Sequence, residues 1–249
     1  MRKLRVEFGD ELRFTWIMGG LAREYSGGPE AHARLVLHWL DVGEESGMPI
    51  DPRLWRDGPI GSTYPACMAA KAAGEQGEAA AERYLRALRE GLFCFRRKLD
   101  TTEPLVEEAR TAGLDVERFR IDLRSNAIVE AFGRDLDLTR DAPEGDGHER
   151  LPLPAAVFVS EQGERHALLG PASYEEHRAA AEAAGARPSG DPPPGVLDAL
   201  RRFGRMATRE VELVCGLPGP VAAAELWSLA REWRVRPVPV LTGHLWEPA

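Results

Sequence analysis

Apolar positions alternate near the start of the chain and then take up a helical spacing. In residues 12–18, four apolar side chains share one face at a spacing of two: Leu12, Phe14, Trp16 and Met18. Two glycines follow at positions 19 and 20. This pattern predicts a half-buried strand. Residues 30–46 fit an amphipathic helix, and residues 62–138 contain no strand pattern, so we predict several short helices there.

The second half of the chain returns to a strand pattern. Residues 154–159 are a short apolar run that starts at a proline, residues 161–164 are typical of a turn, and residues 165–169 form a second run that ends at a glycine. We predict an antiparallel hairpin here, followed by a helix over residues 173–184.

A stretch rich in proline and glycine separates the last quarter of the chain from the rest. Residues 186–195 contain Pro188 and a run of three further prolines, which is typical of a stiff linker, and we expect a domain boundary there. Helices are predicted beyond it, near residues 196–203, 208–215 and 220–233, before an apolar tail. Three helices followed by a short hairpin outline a small winged-helix-like module over residues 196–249.

Charge and apolar content narrow the classes of function. Lys and Arg total 32 against 40 Asp and Glu, which gives a net charge of −8. A chain this acidic has no general attraction to phosphate backbones or anionic membranes, so we expect neither specific nucleic acid nor a membrane as a partner. Its apolar runs are far shorter than the roughly 20 residues that span a bilayer. Because the first residues also lack the apolar run of a signal peptide, we expect a cytoplasmic protein.

The three cysteines of the chain, Cys67, Cys94 and Cys215, lie far apart, with no Cys-x-x-Cys and no Cys/His cluster. This spacing argues against a disulfide scaffold and against a structural zinc site. We therefore expect no metal and no bound cofactor.

Three segments, taken in order, carry a resemblance to a known family. They are residues 16–21 (Trp-Ile-Met-Gly-Gly-Leu), residues 62–73 (Ser-Thr-Tyr-Pro-Ala-Cys-Met-Ala-Ala-Lys-Ala-Ala) and residues 153–159 (Leu-Pro-Ala-Ala-Val-Phe-Val). With them the chain resembles the DsbA-like branch of thioredoxin-fold proteins, which also includes hydroxychromene carboxylate isomerases and kappa-type glutathione transferases. The resemblance covers most of residues 1–185 and implies an α/β fold, a thioredoxin-like sheet with an inserted helical domain over about residues 62–140.

The resemblance also implies a binding edge at the start of the predicted hairpin. It makes the bond between Leu153 and Pro154 cis and presents the backbone there, through Ala155, as a pairing edge for an extended peptide or a thiol substrate. It places the strand that starts at Pro154 next to the sheet position flanked by residues 12–18.

The start of the helical insertion holds the other candidate site residues. Ser62, Thr63 and Tyr64 could bind a ligand through their hydroxyls, although capping of the next helix explains the first two without any ligand. Cys67 follows, where free backbone N–H groups and the helix dipole stabilise a thiolate. The plainer interpretation of Cys67, which we weight more heavily, is a small buried residue in an alanine-rich helix.

The chain departs from this family at the redox motif. Redox members carry Cys-x-x-Cys at the start of the first helix, directly after the first strand, and this sequence has neither. Pattern alone favours a hairpin that begins in residues 1–8, whereas the resemblance makes residues 1–9 the tail of the first helix. On that second interpretation, the reading frame upstream should encode an apolar strand and Cys-x-x-Cys.

Three functions remain open at this point. The first is a DsbA-like thiol–disulfide oxidoreductase, truncated or degenerate at its redox motif, whose partners would be protein or small-molecule thiols and disulfides. The second is a non-catalytic peptide-binding or adapter protein that uses the proline edge, with the C-terminal module as a second contact surface. The third is a glutathione-linked isomerase or transferase, for which glutathione would be the thiol substrate.

Overall fold

The structure, a computed structural model, describes residues 1–140 and 151–249. The helices in these ranges are α1 (Arg2–Phe8), α2 (Pro29–Ser46), α3 (Leu54–Asp57), α4 (Tyr64–Gly74), α5 (Glu78–Phe93), α6 (Thr102–Thr111), α7 (Val116–Leu123), α8 (Asn126–Arg140), α9 (Tyr174–Ala183), α10 (Val196–Phe203), α11 (Thr208–Cys215) and α12 (Gly219–Arg231). The strands are β1 (Ala155–Val159), β2 (Arg165–Leu169), β3 (Met206–Ala207), β4 (Val235–Val240) and β5 (Gly243–Pro248). One sheet pairs β1 with β2, and the other has the order β3, β5, β4.

The chain divides into two compact units. The first unit comprises Met1–Trp16, Thr139–Val238 and His244–Ala249, and the second comprises Ile17–Leu138 and Pro239–Gly243. The domain boundary expected at residues 186–195 is a statement about independent folding. This division into units does not test it, so it stays a prediction.

The second unit is helical because its sequence supplies frequent start and stop signals. α2 begins at a proline and ends at Gly47, whose left-handed backbone (φ 67°) suits a residue without a side chain. Aromatic rings fill the core beside α2: the ring centroid of Trp55 lies 4.9 Å from that of Tyr25 and 5.5 Å from that of Trp39. The short helices expected over residues 62–138 are confirmed as α4 to α8.

The predicted hairpin is confirmed in the first unit. β1 and β2 are antiparallel, with Ala155 opposite Leu169 and Val159 opposite Arg165. The inward side chain of Phe158 is half-buried and packs against a cluster formed by α1 and α9. The hairpin is therefore covered on one side only.

Residues 196–249 have the order of a winged-helix module, as expected: helix, strand, helix, helix, strand, strand. β3 pairs with β5, and Met206 lies opposite Trp246. All three helices and all three strands of the module contribute residues to its apolar core. These residues are Val196, Ala199, Leu200, Met206, Val211, Val214, Cys215, Ala222, Leu226, Leu229, Val235 and Trp246. The Arg2 guanidinium of α1 donates to the carbonyls of Phe203 and Arg205, which fastens α1 to this module.

The strand predicted at residues 12–18 is wrong. The alternation itself is present, because Leu12, Phe14 and Trp16 are half-buried and Met18 is buried, while the residues at odd positions between them are exposed. However, the segment joins neither of the described sheets, and β1 has only β2 as its described partner. Alternation records which side chains are covered, whereas a strand also needs a backbone neighbour. The Met18 N–H instead donates to the Asp135 carboxylate (2.8 Å).

The start of the chain is a helix and not part of a hairpin. Residues Arg2–Phe8 form α1, and Gly9 follows with a positive φ of 53°. The hairpin that pattern alone favoured is wrong, and the helix implied by the resemblance is confirmed. Leu4 and Phe8 lie one helical turn apart and are both buried, so the side-chain spacing that suited either structure serves the helix here.

Among the described residues, no single helix is long and apolar enough to cross a membrane. Taken together, α11 and α12 have the length and the apolar composition of a membrane span, but the two helices meet at an angle of 110°.

Candidate functional site

The hydroxyls of Ser62 and Thr63 are bound to a neighbouring segment of the second unit. Thr63 Oγ1 accepts from the Ala22 N–H and donates to the Ala22 carbonyl, both at 3.0 Å. Ser62 Oγ also donates to that carbonyl (3.2 Å) and accepts from the Tyr64 N–H (3.1 Å). The expected capping role is wrong for Thr63, because α4 receives no hydrogen bond from the side chain of this N-cap residue. Binding the Ala22 backbone satisfies the hydroxyl instead.

Tyr64 belongs to the packing of the second unit. Its ring meets the Phe132 ring edge-on, with centroids 5.0 Å apart. The Tyr64 ring also closes over Gly20, where an added Cβ would lie 3.0 Å from it and 2.7 Å from a Leu136 methyl group. Gly20 has a φ of 57°, so both conformation and space require glycine at this position.

Cys67 lies one helical turn into α4, and its backbone N–H donates to the Thr63 carbonyl (3.1 Å). Burial of the thiol raises its pKa to about 11, and the nearby Asp135 carboxylate acts in the same direction, against a backbone hydrogen bond with Gly20. A thiol with such a pKa is protonated at neutral pH, and the protonated form is a poor nucleophile. The position near a helix start therefore does not produce an activated thiolate.

Asp135 organises this part of the second unit. The carboxylate is buried, accepts from the Met18 N–H and pairs with the Lys71 ammonium group at 3.0 Å. Through this carboxylate, α8 is joined both to the backbone at Met18 and to Lys71 of α4. Sequence analysis did not identify Asp135, because a single acidic residue on an amphipathic helix carries no signal of a distant partner.

A small cavity of about 110 Å³ opens beside Cys67. Its walls are mostly apolar, and it is lined by Met18, Ile60, Ser62, Thr63, Ala66, Cys67, Leu85, Leu88, Arg89, Leu92, Phe93 and Leu99. A cavity of this size and lining suits one small apolar group.

The other three candidate residues lie in the first unit, at the start of β1. The Leu153–Pro154 bond is cis, the isomer that the resemblance implies. Leu153, Pro154 and Ala155 are all exposed. The structure thus places Ser62, Thr63, Tyr64 and Cys67 in one unit and these three residues in the other.

Sequence analysis missed the exposed face of the hairpin. Val157 (40% exposed) and Val159 (58%) on β1 share this face with Leu169 (39%) on β2. The signal was present, because the run Ala-Ala-Val-Phe-Val is apolar on both faces, whereas a strand with one solvated face alternates with polar residues.

The two remaining cysteines, Cys94 and Cys215, are both buried. Cys94 donates to the Pro49 carbonyl (3.3 Å), and burial raises the pKa of Cys215 to about 11. Within residues 1–140 and 151–249, no group of three or more His, Cys, Asp or Glu side chains is arranged to hold a metal ion.

Comparisons with known proteins agree with this architecture. A family model described as thioredoxin matches residues 1–173. A solved structure described as a candidate protein disulfide isomerase from Nitrosomonas europaea matches 66% of this chain and 78% of its own, with a TM-score of 0.56 and 18% identity, and this likeness shows the fold alone.

Two curated relatives match nearly the whole chain. The ClpXP adapter protein SpxH of Halalkalibacterium halodurans is 29% identical over 99% of this chain and 81% of its own length. The protein of the same name from Bacillus subtilis is 28% identical over 99% of this chain and 82% of its own. The expected thioredoxin-like fold with an inserted helical domain is confirmed, and the chain belongs to the thioredoxin family.

Proposed function

We propose that this chain is a non-catalytic adapter that presents a client protein to a ClpXP protease, and that it belongs to the DsbA-like branch of its family. The observation that carries this proposal is the similarity to proteins named ClpXP adapter over 99% of the chain, including the winged-helix module. The cytoplasmic location expected from the sequence is part of the same proposal.

The chemistry of the cysteines favours an adapter over an oxidoreductase. Thiol–disulfide exchange begins with a thiolate, and the candidate nucleophile Cys67 has a pKa raised to about 11. Each of the other cysteines is buried, so none is placed to resolve a mixed disulfide with Cys67 at the surface. A function that depends on binding fits these groups better than one that depends on thiol reactivity.

The hairpin supplies a surface for an extended client segment. The exposed face of the hairpin carries the apolar side chains of Val157, Val159 and Leu169, with Arg165 opposite Val159 at its end, and β1 pairs on one side only among the described strands. An extended segment added to that open edge would gain backbone hydrogen bonds and cover the apolar side chains at alternate positions. In this proposal Leu153, Pro154 and Ala155 form the entry to the edge.

The test begins with proteins whose half-life lengthens both when this chain is deleted and when ClpX is depleted in the same organism. One such protein is purified and incubated with purified ClpX and ClpP, with and without the full chain. We expect the chain to raise the degradation rate about ten-fold, the usual scale of coupling between two binding events. If no such protein is degraded faster in the presence of the chain, the adapter proposal is wrong.

Matched variants separate binding from thiol chemistry in this assay. Val157→Lys puts a charge on the exposed hairpin face and should remove the stimulation. Ile121→Lys, at an apolar residue of α7 that is 72% exposed, should leave it intact. Cys67→Ala should also retain it, and loss of stimulation in that variant with the fold preserved would favour a redox mechanism instead.

A further inference from the structure

Trp233 occupies an unusual place at the end of α12. Its N–H donates to the Ala230 carbonyl (3.1 Å), and the Arg234 N–H donates to the Leu229 carbonyl (3.0 Å). This pair of bonds defines a Schellman motif in which Trp233 is the left-handed residue, with a φ of 57°. Glycine is the usual residue at that position, because a Cβ there crowds the following carbonyl oxygen.

The Trp233 ring does not contribute to the core of the module. The residue is 87% exposed, although Trp227 and Trp246 nearby in the same module pack edge to face with centroids 4.9 Å apart. A large aromatic residue that is both strained in its backbone and exposed to water lowers the stability of the module without any compensation from burial. Exposed tryptophans of this kind are the residues that most often dominate binding at protein interfaces.

Positive charge surrounds this tryptophan on an otherwise acidic chain. Residues 231–236 read Arg-Glu-Trp-Arg-Val-Arg, and Arg205 and Glu247 lie beside Arg236, so that four arginines face two glutamates here, whereas the whole chain has a net charge of −8. Val235 is buried, whereas Arg234 before it and Arg236 after it are exposed. Arg231 is exposed and has no ion-pair partner among the described residues.

We infer that Arg231, Trp233, Arg234 and Arg236, here called the Trp233 patch, dock an acidic peptide segment of a protein partner in which an apolar side chain lies between carboxylates. The apolar side chain covers the indole ring, and the carboxylates pair with the guanidinium groups. Two of these arginines already contact carboxylates, Arg234 with Glu232 at 3.4 Å and Arg236 with Glu247, so their geometry suits such groups. The inference stands independently of the proposed adapter function.

The test measures binding of the full chain to a fluorescein-labelled peptide, Glu-Asp-Phe-Asp-Leu-Glu-Asp, by anisotropy. Trp233→Gly should weaken binding about ten-fold or more, the scale of a hot-spot residue, while the melting temperature stays equal or rises because glycine relieves the strained backbone. Arg231→Gln should weaken binding several-fold and reduce its dependence on salt. Ile121→Ala, at an exposed residue outside the patch, should bind as the unaltered chain does.

Three results would overturn the inference. One is the absence of measurable binding to the acidic peptide, and another is unchanged binding in Trp233→Gly. The third is equal or tighter binding of Lys-Arg-Phe-Lys-Leu-Lys-Arg, or of a duplex DNA probe, which would show that the patch does not select carboxylates. None of these measurements involves ClpX, ClpP or a client, so failure here and failure of the adapter proposal can be told apart.

Discussion

The hairpin and the winged-helix module both contain antiparallel strands, but they differ in how those strands are covered. In β1 and β2 no residue is buried, and side chains alternate between half-buried and exposed. In the C-terminal sheet, Val235 and Trp246 are buried in the core that the helices of the module form. Trp246 even satisfies its ring N–H, which donates to Thr208 Oγ1 (2.9 Å).

This difference separates stability from binding within one unit. A sheet that is covered on one face and closed by a core contributes to the free energy of folding, because its apolar area is removed from water. A two-stranded sheet with an apolar outer face leaves that area available to a partner. We therefore expect substitutions in the module to change stability and substitutions on the outer face of the hairpin to change binding.

The largest effect should come from Leu226→Ala. Leu226 of α12 is fully buried in the core of the module. Truncation would leave a cavity and should lower the free energy of unfolding by about 3 kcal/mol. Urea unfolding followed by circular dichroism measures this change, and a loss below about 1 kcal/mol would show that the module does not depend on its core.

A smaller effect should follow from Glu247→Gln, and it should depend on pH. Burial raises the pKa of Glu247, but hydrogen bonds and charge from Arg205 and Arg236 outweigh burial and hold the pKa below its ordinary value. The ion pairs therefore stabilise the fold above the ordinary glutamate pKa of about 4.3 and lose this effect as the pH falls through the lower folded value.

Urea unfolding between neutral pH and the acid range, for the unaltered chain and Glu247→Gln, checks this expectation. Near pH 7 the variant should be less stable by roughly 1.5 kcal/mol, since both guanidiniums lose a charged acceptor and are partly exposed. The difference should shrink as the pH is lowered. A difference that stays constant with pH would mean that the carboxylate charge is not responsible.

Sequence pattern predicted most of the helices of this chain, and the reason is local. Helical spacing, proline in a first turn and glycine at an end act within a few residues, as at α2, where Pro29 and Gly47 mark the two ends. The prediction of a strand at residues 12–18 was wrong because strand formation is not local. Its alternating side chains are covered as predicted, but strand pairing depends on a neighbour that no local pattern describes.

The candidate site shows the same limit. The pattern placed Cys67 correctly near the start of α4, yet the pKa of a thiol depends on what covers it and on distant charges such as Asp135. The Thr63 hydroxyl likewise hydrogen-bonds to the backbone of Ala22, 41 positions away, and not to the start of the helix beside it. Long-range contacts therefore decide the chemistry of both residues.

The smallest effect should come from Leu169→Ala, the same chemical change as Leu226→Ala made on the hairpin. Leu169 is 39% exposed and lies opposite Ala155, so truncation removes less buried area and leaves no closed cavity. The free energy of unfolding should fall by no more than about 1 kcal/mol, within the range of surface substitutions. Client binding should weaken in the same variant, because the apolar face loses one of its three large side chains. A loss of stability as large as that of Leu226→Ala would show that the hairpin belongs to the folding core, and it would contradict the expected separation of stability and binding between the two sheets.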